Sequence, residues 1–135
     1  MDNVCYARET GLAVAEFIDV LQRSGLSERR PVNDRPRIER MLALASLVIT
    51  ARDDGRLVGV SRALTDFSYC CYLSDLAVDR HYQRHGIGKR LIAETRAAAG
   101  TGTTLILVSA PDAAGFYDAA GLSRAEAAFI LRRDT

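Results

Sequence analysis

Hydrophobic positions along the chain change their period several times. Val14, Phe17, Ile18 and Leu21 recur at i, i+3, i+4 and i+7, which predicts a helix over Gly11 to Arg23 with one apolar face. Ser24-Gly25 supplies the expected stop. The stretch Ser27 to Arg37 is polar, holds Pro31 and Pro36, and reads as a loop. Beyond it Ile38, Met41, Leu42 and Ala45 form a second helical stripe, with Pro36 near the first turn. Its end merges into Leu47-Val48-Ile49-Thr50, whose β-branched residues suit a strand.

A period of two then takes over. Asp53-Asp54-Gly55 is a hairpin turn signal between strands predicted at Leu47 to Arg52 and Leu57 to Leu64. Thr65 to Ser68 reads as another turn, and Tyr69 to Val78 as a third, antiparallel strand. Val4 to Arg8 reads as a short strand at the start. From His81 to Gly88 the chain is a polar loop ending in glycines, followed by a helix to Ala99 that Gly100 and Gly102 stop. Leu105-Ile106-Leu107-Val108 is a continuous apolar run, as expected of a strand buried on both faces. Ala113 to Ala120 reads as a short helix ended by Gly121, and Phe129 to Arg132 as a last strand. Strand, glycine loop, helix, strand is a βαβ unit with parallel strands. The pattern predicts an α/β (α+β) domain: a mixed sheet with an antiparallel meander, a parallel central pair and helices on both faces.

Composition narrows the class. With 135 residues, 48% hydrophobic and 26% charged, the chain is expected to be one globular domain spanning residues 1–135. A net charge of +1 argues against a protein devoted to coating nucleic acid. The most apolar stretch, Met41 to Ile49, is far shorter than the roughly 20 residues of a membrane helix. Met1 to Cys5 lacks a basic start followed by an apolar run, so no secretory leader is expected. Cys5, Cys70 and Cys71 are odd in number and two are adjacent, which is no disulfide framework. Two histidines and no Cys-x-x-Cys predict no metal site. Together these point to a reduced, cytoplasmic protein that uses its cysteines as small hydrophobes.

The richest segment runs from Leu73 to Ile92. An apolar strand leads into a basic loop with Gly86 and Gly88, then into a helix start. A helix start carries unpaired N–H groups and partial positive charge, and glycines there let an anion approach. Arg84, His85, Lys89 and Arg90 add positive potential. The glycines alone are equally consistent with a tight turn. Gly-x-x-x-x-Gly-Lys-Ser/Thr is absent, and Leu91 stands where Gly-x-Gly-x-x-Gly needs its third glycine.

The segment resembles the acyl-CoA-binding motif of the GNAT superfamily of N-acetyltransferases, Gln/Arg-x-x-Gly-x-Gly/Ala, with Gln83, Gly86 and Gly88 in the fixed positions. Ala113 to Leu122 resembles that family's Ala-x-x-Phe/Leu-Tyr-x-x-x-Gly-Phe helix, with Leu122 where Phe is usual. The two motifs stand in family order, and the resemblance extends over nearly the whole chain. Ala110 occupies a place where members often carry Asn, and only fourteen residues follow Gly121. The sheet edge left by that short tail is open to cover by a partner subunit, which would make a homodimer.

The resemblance implies direct transfer of an acetyl group from acetyl-CoA, as cosubstrate, to an amine of a small molecule or a protein. Backbone groups of Gln83, Arg84, His85, Gly86, Ile87, Gly88 and Lys89 would hold the pyrophosphate. Those of Leu76, Ala77 and Val78 would meet the pantetheine arm, one N–H polarising the thioester carbonyl. Tyr117 would protonate the departing thiolate; by itself, on the stripe Ala113, Phe116, Tyr117 and Ala120, it reads as a core aromatic. Asp75, inside an apolar strand, is the candidate base or amine contact, or merely an acceptor of local hydrogen bonds. Asp66 and Ser74 rank behind it, and Tyr69 and Tyr72 are candidate pocket walls. Arg29, Arg30, Arg35, Arg37 and Arg40 suit either a solvated loop or recognition of a carboxylate or phosphate. His81 and His85 read as exposed loop residues. Two other classes compete: a non-catalytic acyl-CoA-binding or regulatory module of the same fold, and, against the charge balance, a nucleotide or nucleic-acid binder.

Overall fold

The computed structural model describes residues 3–134, so Met1 and Asp2, on which the leader reading partly rests, lie outside it. Five strands form one sheet in chain order: β1 (Val4–Arg8), β2 (Leu47–Asp53), β3 (Arg56–Thr65), β4 (Cys70–Val78) and β5 (Thr104–Ile106). The first four are antiparallel and β5 runs parallel to β4. Helices α1 (Val14–Ser24) and α2 (Arg35–Ala43) follow β1, α3 (Ile87–Ala99) connects β4 to β5, and α4 (Ala114–Ala119) follows β5. Asp34 caps α2 by accepting the Arg37 amide, and Pro36 sits in the first turn, where its missing N–H is harmless.

Each face of the sheet has its own core. On one, Phe17, Val20 and Leu21 of α1 and Ile38 of α2 cover Val48, Leu57, Val60 and Ala77. On the other, Ile87, Leu91, Ile92 and Ala99 of α3 cover Leu47, Ile49, Val58, Ala63, Cys71 and Leu73. Thr95 lies at 0% exposure on the inner stripe of α3, where its hydroxyl donates to the Leu91 carbonyl and bonds the Ser61 hydroxyl. Of the cysteines, Cys71 alone behaves as a core hydrophobe; Cys5 and Cys70 are exposed.

Two expected strands differ. The run Leu105 to Val108 is not buried on both faces: the strand ends at Ile106, only Leu105 and Leu107 pack on the α3-side core, and Ile106 and Val108 are about half exposed. The reason is position. β5 is the sheet edge, and α1 packs on β3 and β4 without reaching it, which leaves its other face open. Phe129 to Arg132 forms no strand. The segment has no regular secondary structure, with Phe129 and Leu131 at 97% and 99% exposure. Apolar β-formers need a ladder to join, and nothing in the described chain brings this segment alongside β5.

Candidate active site

The site grows out of an irregularity in β4. Arg62 pairs with Asp75 and Ala63 with Leu73, so Ser74 is an extra residue without a partner, a β-bulge. Ahead of it, Cys71 and Leu73 face α3; after it, Leu76 and Val78 do, while Asp75 and Ala77 turn to the opposite side. The bulge is what aims Asp75 at the loop after α1.

The pairing with β5 stops at Tyr72–Ile106. From Leu73 to Val78, β4 keeps β3 on one edge and leaves the other free, which opens a wedge towards α3. The Asp79 amide bonds the Val58 carbonyl on β3. By the alternation of a strand, Ala77 also points its backbone polar groups at β3, whereas Leu76 and Val78 point theirs into the wedge. The Val78 carbonyl there accepts the Gln83 side-chain amide at 3.0 Å.

At the wide end of the wedge the chain makes a 3-10 turn, Arg80–Tyr82, capped by Asp79. Arg84 and Gly86 then both adopt left-handed backbone, at φ +67° and +83°. Gly86 is the N-cap of α3, a conformation glycine takes at little cost. The first helical hydrogen bond runs from the Arg90 amide to the Gly86 carbonyl, so the amides of Ile87, Gly88 and Lys89 point out of the helix end without a helical partner. Arg84, His85 and Lys89 surround them, exposed. Gly88 has a different reason to be glycine. A Cβ there would lie 2.9 Å from the Phe116 ring, so its bareness lets α4 dock on the start of α3.

That docking places Tyr117. Its ring meets Phe116 edge-on, with centroids 5.0 Å apart, and packs on the α3-side core. Burial pushes the phenol pKa above its ordinary value, against an opposing pull from the nearby Arg30 charge. The hydroxyl is therefore a protonated donor at neutral pH. Upstream, the Ala110 carbonyl accepts from the Ser109 hydroxyl and the Ala113 amide, so Ala110 shapes the turn into α4 with its backbone.

Asp75 is fully buried, and each of its carboxylate oxygens accepts from a guanidinium, one from Arg30 and one from Arg62. Arg30 also donates to the Ser74 carbonyl at 2.7 Å, and Arg62 to the Ser74 hydroxyl at 2.9 Å. The bulge is thus clasped from the loop after α1 and from β3. Two guanidinium groups face one carboxylate, which leaves one net positive charge. Arg62 was not singled out from the sequence, although a lone charge within the apolar run Leu57 to Leu64 calls for a buried partner by the same logic that drew attention to Asp75. Asp66 does something else: it accepts the amides of Tyr69, Ser68 and Cys70, which hold its pKa at about 2, and so fixes the β3–β4 turn. Tyr69 is largely exposed and Tyr72 about half. His81 and His85 are exposed, as expected. Among the described residues no group of three or more His, Cys, Asp or Glu is placed to hold a metal ion, and no helix is long and apolar enough to cross a membrane.

A bulged strand, a wedge beside it and a glycine-capped helix at its mouth make a site for an extended ligand with an anionic end. The sequence pattern of the acetyltransferase (GNAT) domain matches residues 45–121, more than half of the chain, and the protein belongs to that family. Comparison with curated protein sequences gives no match. Among solved structures, a GNAT family acetyltransferase from Streptococcus pneumoniae superposes with a TM-score of 0.74 at 20% identity, over 96% of this chain and 99% of that one. An aminoglycoside N-acetyltransferase in complex with CoA gives 0.73 at 18% identity, over 98% and 95%. A ribosomal-protein-alanine N-acetyltransferase from Brucella melitensis gives 0.72 at 20% identity, over 96% and 99%. The fold is that of the family: a mixed five-stranded sheet with helices on both faces.

Proposed function

We propose that the protein is an acetyl-CoA-dependent N-acetyltransferase, working as one domain over the whole chain, that moves an acetyl group directly to a primary amine of a small molecule or a protein. The observation that carries this reading is the wedge of β4 opening onto the unpartnered amides at the start of α3. The amides of residues 83–89 suit a pyrophosphate, with Arg84 and Lys89 adding charge. Leu76 and Val78 offer backbone groups to a pantetheine arm; Ala77 lines the strand between them. Acetyl-CoA brings an activated thioester. The Leu76 amide, free and aimed into the wedge, is suited to polarise its carbonyl. Tyr117, neutral and half-buried, then donates its proton to the departing sulfur as the amine nitrogen forms the new bond to carbon. Asp75 acts here by holding Arg30 and Arg62 at the bulge.

A non-catalytic acyl-CoA-binding module is the second reading, and the occupied Asp75 carboxylate favours it, because no free base then stands beside the acceptor. One pair of measurements separates the two. Saturating acetyl-CoA should raise the melting temperature by several degrees, as ligand at about 100 times its Kd adds roughly 2.7 kcal/mol, whereas ATP and NAD should not. Thiol release in the presence of an amine panel then distinguishes an enzyme from a binder. A melting temperature indifferent to acetyl-CoA would remove both readings.

A further inference from the structure

Beside the bulge, α2 and β3 enclose a second feature. Arg37, Arg40, Met41 and Leu44 recur at i, i+3, i+4 and i+7, so they share one face of α2. With Arg62 and Leu64 of β3 they line a cleft of about 310 Å³ that holds no acidic residue. Its arginines are not equivalent to the others in this part of the chain. Arg30 is engaged with Asp75, and Arg35 pairs with Glu39 along the helix at 3.4 Å. Arg37 and Arg40 have no carboxylate partner among the described residues. Arg62 joins the cleft to the site, since it is among the lining residues and its guanidinium reaches the Ser74 hydroxyl. Leu44 and Leu64 are exposed, at 75% and 42%. The cleft therefore combines two free guanidinium groups with bare apolar wall, next to the strand position where transfer would occur.

We infer that the acceptor is an amine that also carries a carboxylate or phosphate on an apolar carbon skeleton, and that Arg37 and Arg40 hold the anionic group. The inference rests on the acetyltransferase reading above. Guanidinium forks match the oxygens of either anion. The same charges address a second requirement. An attacking amine must be unprotonated, and two guanidinium groups on the Asp75 carboxylate, with unpaired Arg37 and Arg40 in the adjoining cleft, leave an excess of positive charge that disfavours an ammonium ion there. The anion is attracted while its amine is pushed towards the neutral form, so deprotonation is helped without a dedicated base. A polycationic acceptor is repelled by the same field.

The test uses the full chain and matched acceptors: leucine with leucinamide, methionine with methioninamide, phosphoethanolamine with ethanolamine, and spermidine with an aminoglycoside as polycations. Thiol release gives kcat/KM, expressed per unprotonated amine because the amides carry the more acidic amine. The expected result is at least tenfold preference for the anionic member of a pair, the amino acids and phosphoethanolamine telling carboxylate from phosphate. The double substitution R37Q/R40Q should bring that ratio close to one, with acetyl-CoA affinity retained. Preference for amides or polycations overturns the inference, as does a ratio that survives R37Q/R40Q. Acetyl-CoA binding with no acetylation of any panel member also overturns it and leaves the donor-site reading standing. Failure to bind acetyl-CoA overturns the reading beneath it.

Discussion

At the scale of single residues, the site depends on two groups with opposite surroundings. Tyr117 is a neutral phenol kept protonated by burial. Tyr117→Phe keeps the packing and removes the proton, so kcat should fall by about 10²-fold or more while the Kd for acetyl-CoA stays near that of the parent. An unchanged kcat would assign the ring to packing alone. Asp75 is a carboxylate balanced by two guanidinium groups. Asp75→Ala leaves both cations facing each other around an emptied bulge, and breaking a buried pair this way destabilises by about 3–5 kcal/mol. Denaturant unfolding reads this directly, and Asp75→Asn, which keeps one acceptor oxygen, should lose less. A loss under about 1 kcal/mol would mean that water replaces the carboxylate easily.

At the scale of elements, the two glycines that look alike in the motif are separable. Gly86 has open space around a Cβ and needs only its left-handed backbone, so Gly86→Ala should cost about 1–2 kcal/mol of strain and leave α4 in place. Gly88→Leu should instead push Phe116 away, loosening α4 and Tyr117 with it. Amide hydrogen exchange in residues 114–119 should accelerate in the second variant and not in the first. This difference was not legible in the sequence, where both positions read as phosphate-loop glycines, because the ring opposite Gly88 comes from nearly thirty residues downstream. The four antiparallel strands and the first three helices were legible within a few residues, since their apolar periods and turn residues are local. What escaped was set by neighbours: the open face of β5, the unpaired segment around Phe129, and the bulge at Ser74, which no period of two can announce. Of the site, the glycine loop and Tyr117 were readable from motifs, and Asp75 from its oddness in an apolar strand. Its guanidinium partners were not, because they are brought together only by the pairing of β3 with β4 and the return of the loop after α1.

At the scale of the whole molecule, ion pairs tie separate parts of the fold together and set its response to acid. Glu9 is held below the ordinary carboxylate range chiefly by its hydrogen bond from Arg52, which also pairs with Glu16 on α1. Asp79, buried at the end of β4, is pushed up by burial but pulled down further by the His81 amide, Arg23 and Arg56, for a net lowering. Asp118 on α4 is lowered by Arg124. Each folded pKa lies below its unfolded value, so each contributes stability that is complete above the ordinary values of 3.8 and 4.5 and is lost as pH falls through the lower folded values. The melting temperature should hold between pH 7 and 5 and drop steeply below about 4.5. Arg23→Gln, which removes one of the cations beside Asp79 and lifts its folded pKa towards the unfolded value, should lower the melting temperature at pH 7 and make the drop into acid shallower. A flat profile down to pH 3 would show that these pairs add nothing to folding.

The extra residue at Ser74 also predicts how this strand tolerates changes of length. Ala63 stands opposite Leu73 and Arg62 opposite Asp75, so deleting Ser74 would close the ladder and leave every other residue of β4 on its own face. The loss would be the hydroxyl that Arg62 holds. Removing or adding a residue elsewhere in β4 would invert all side chains on one side of the change, sending Asp75 into the packed layer beneath α3 or Leu73 out of it. Position 74 is therefore the place where this strand can change its length by one residue and keep both faces.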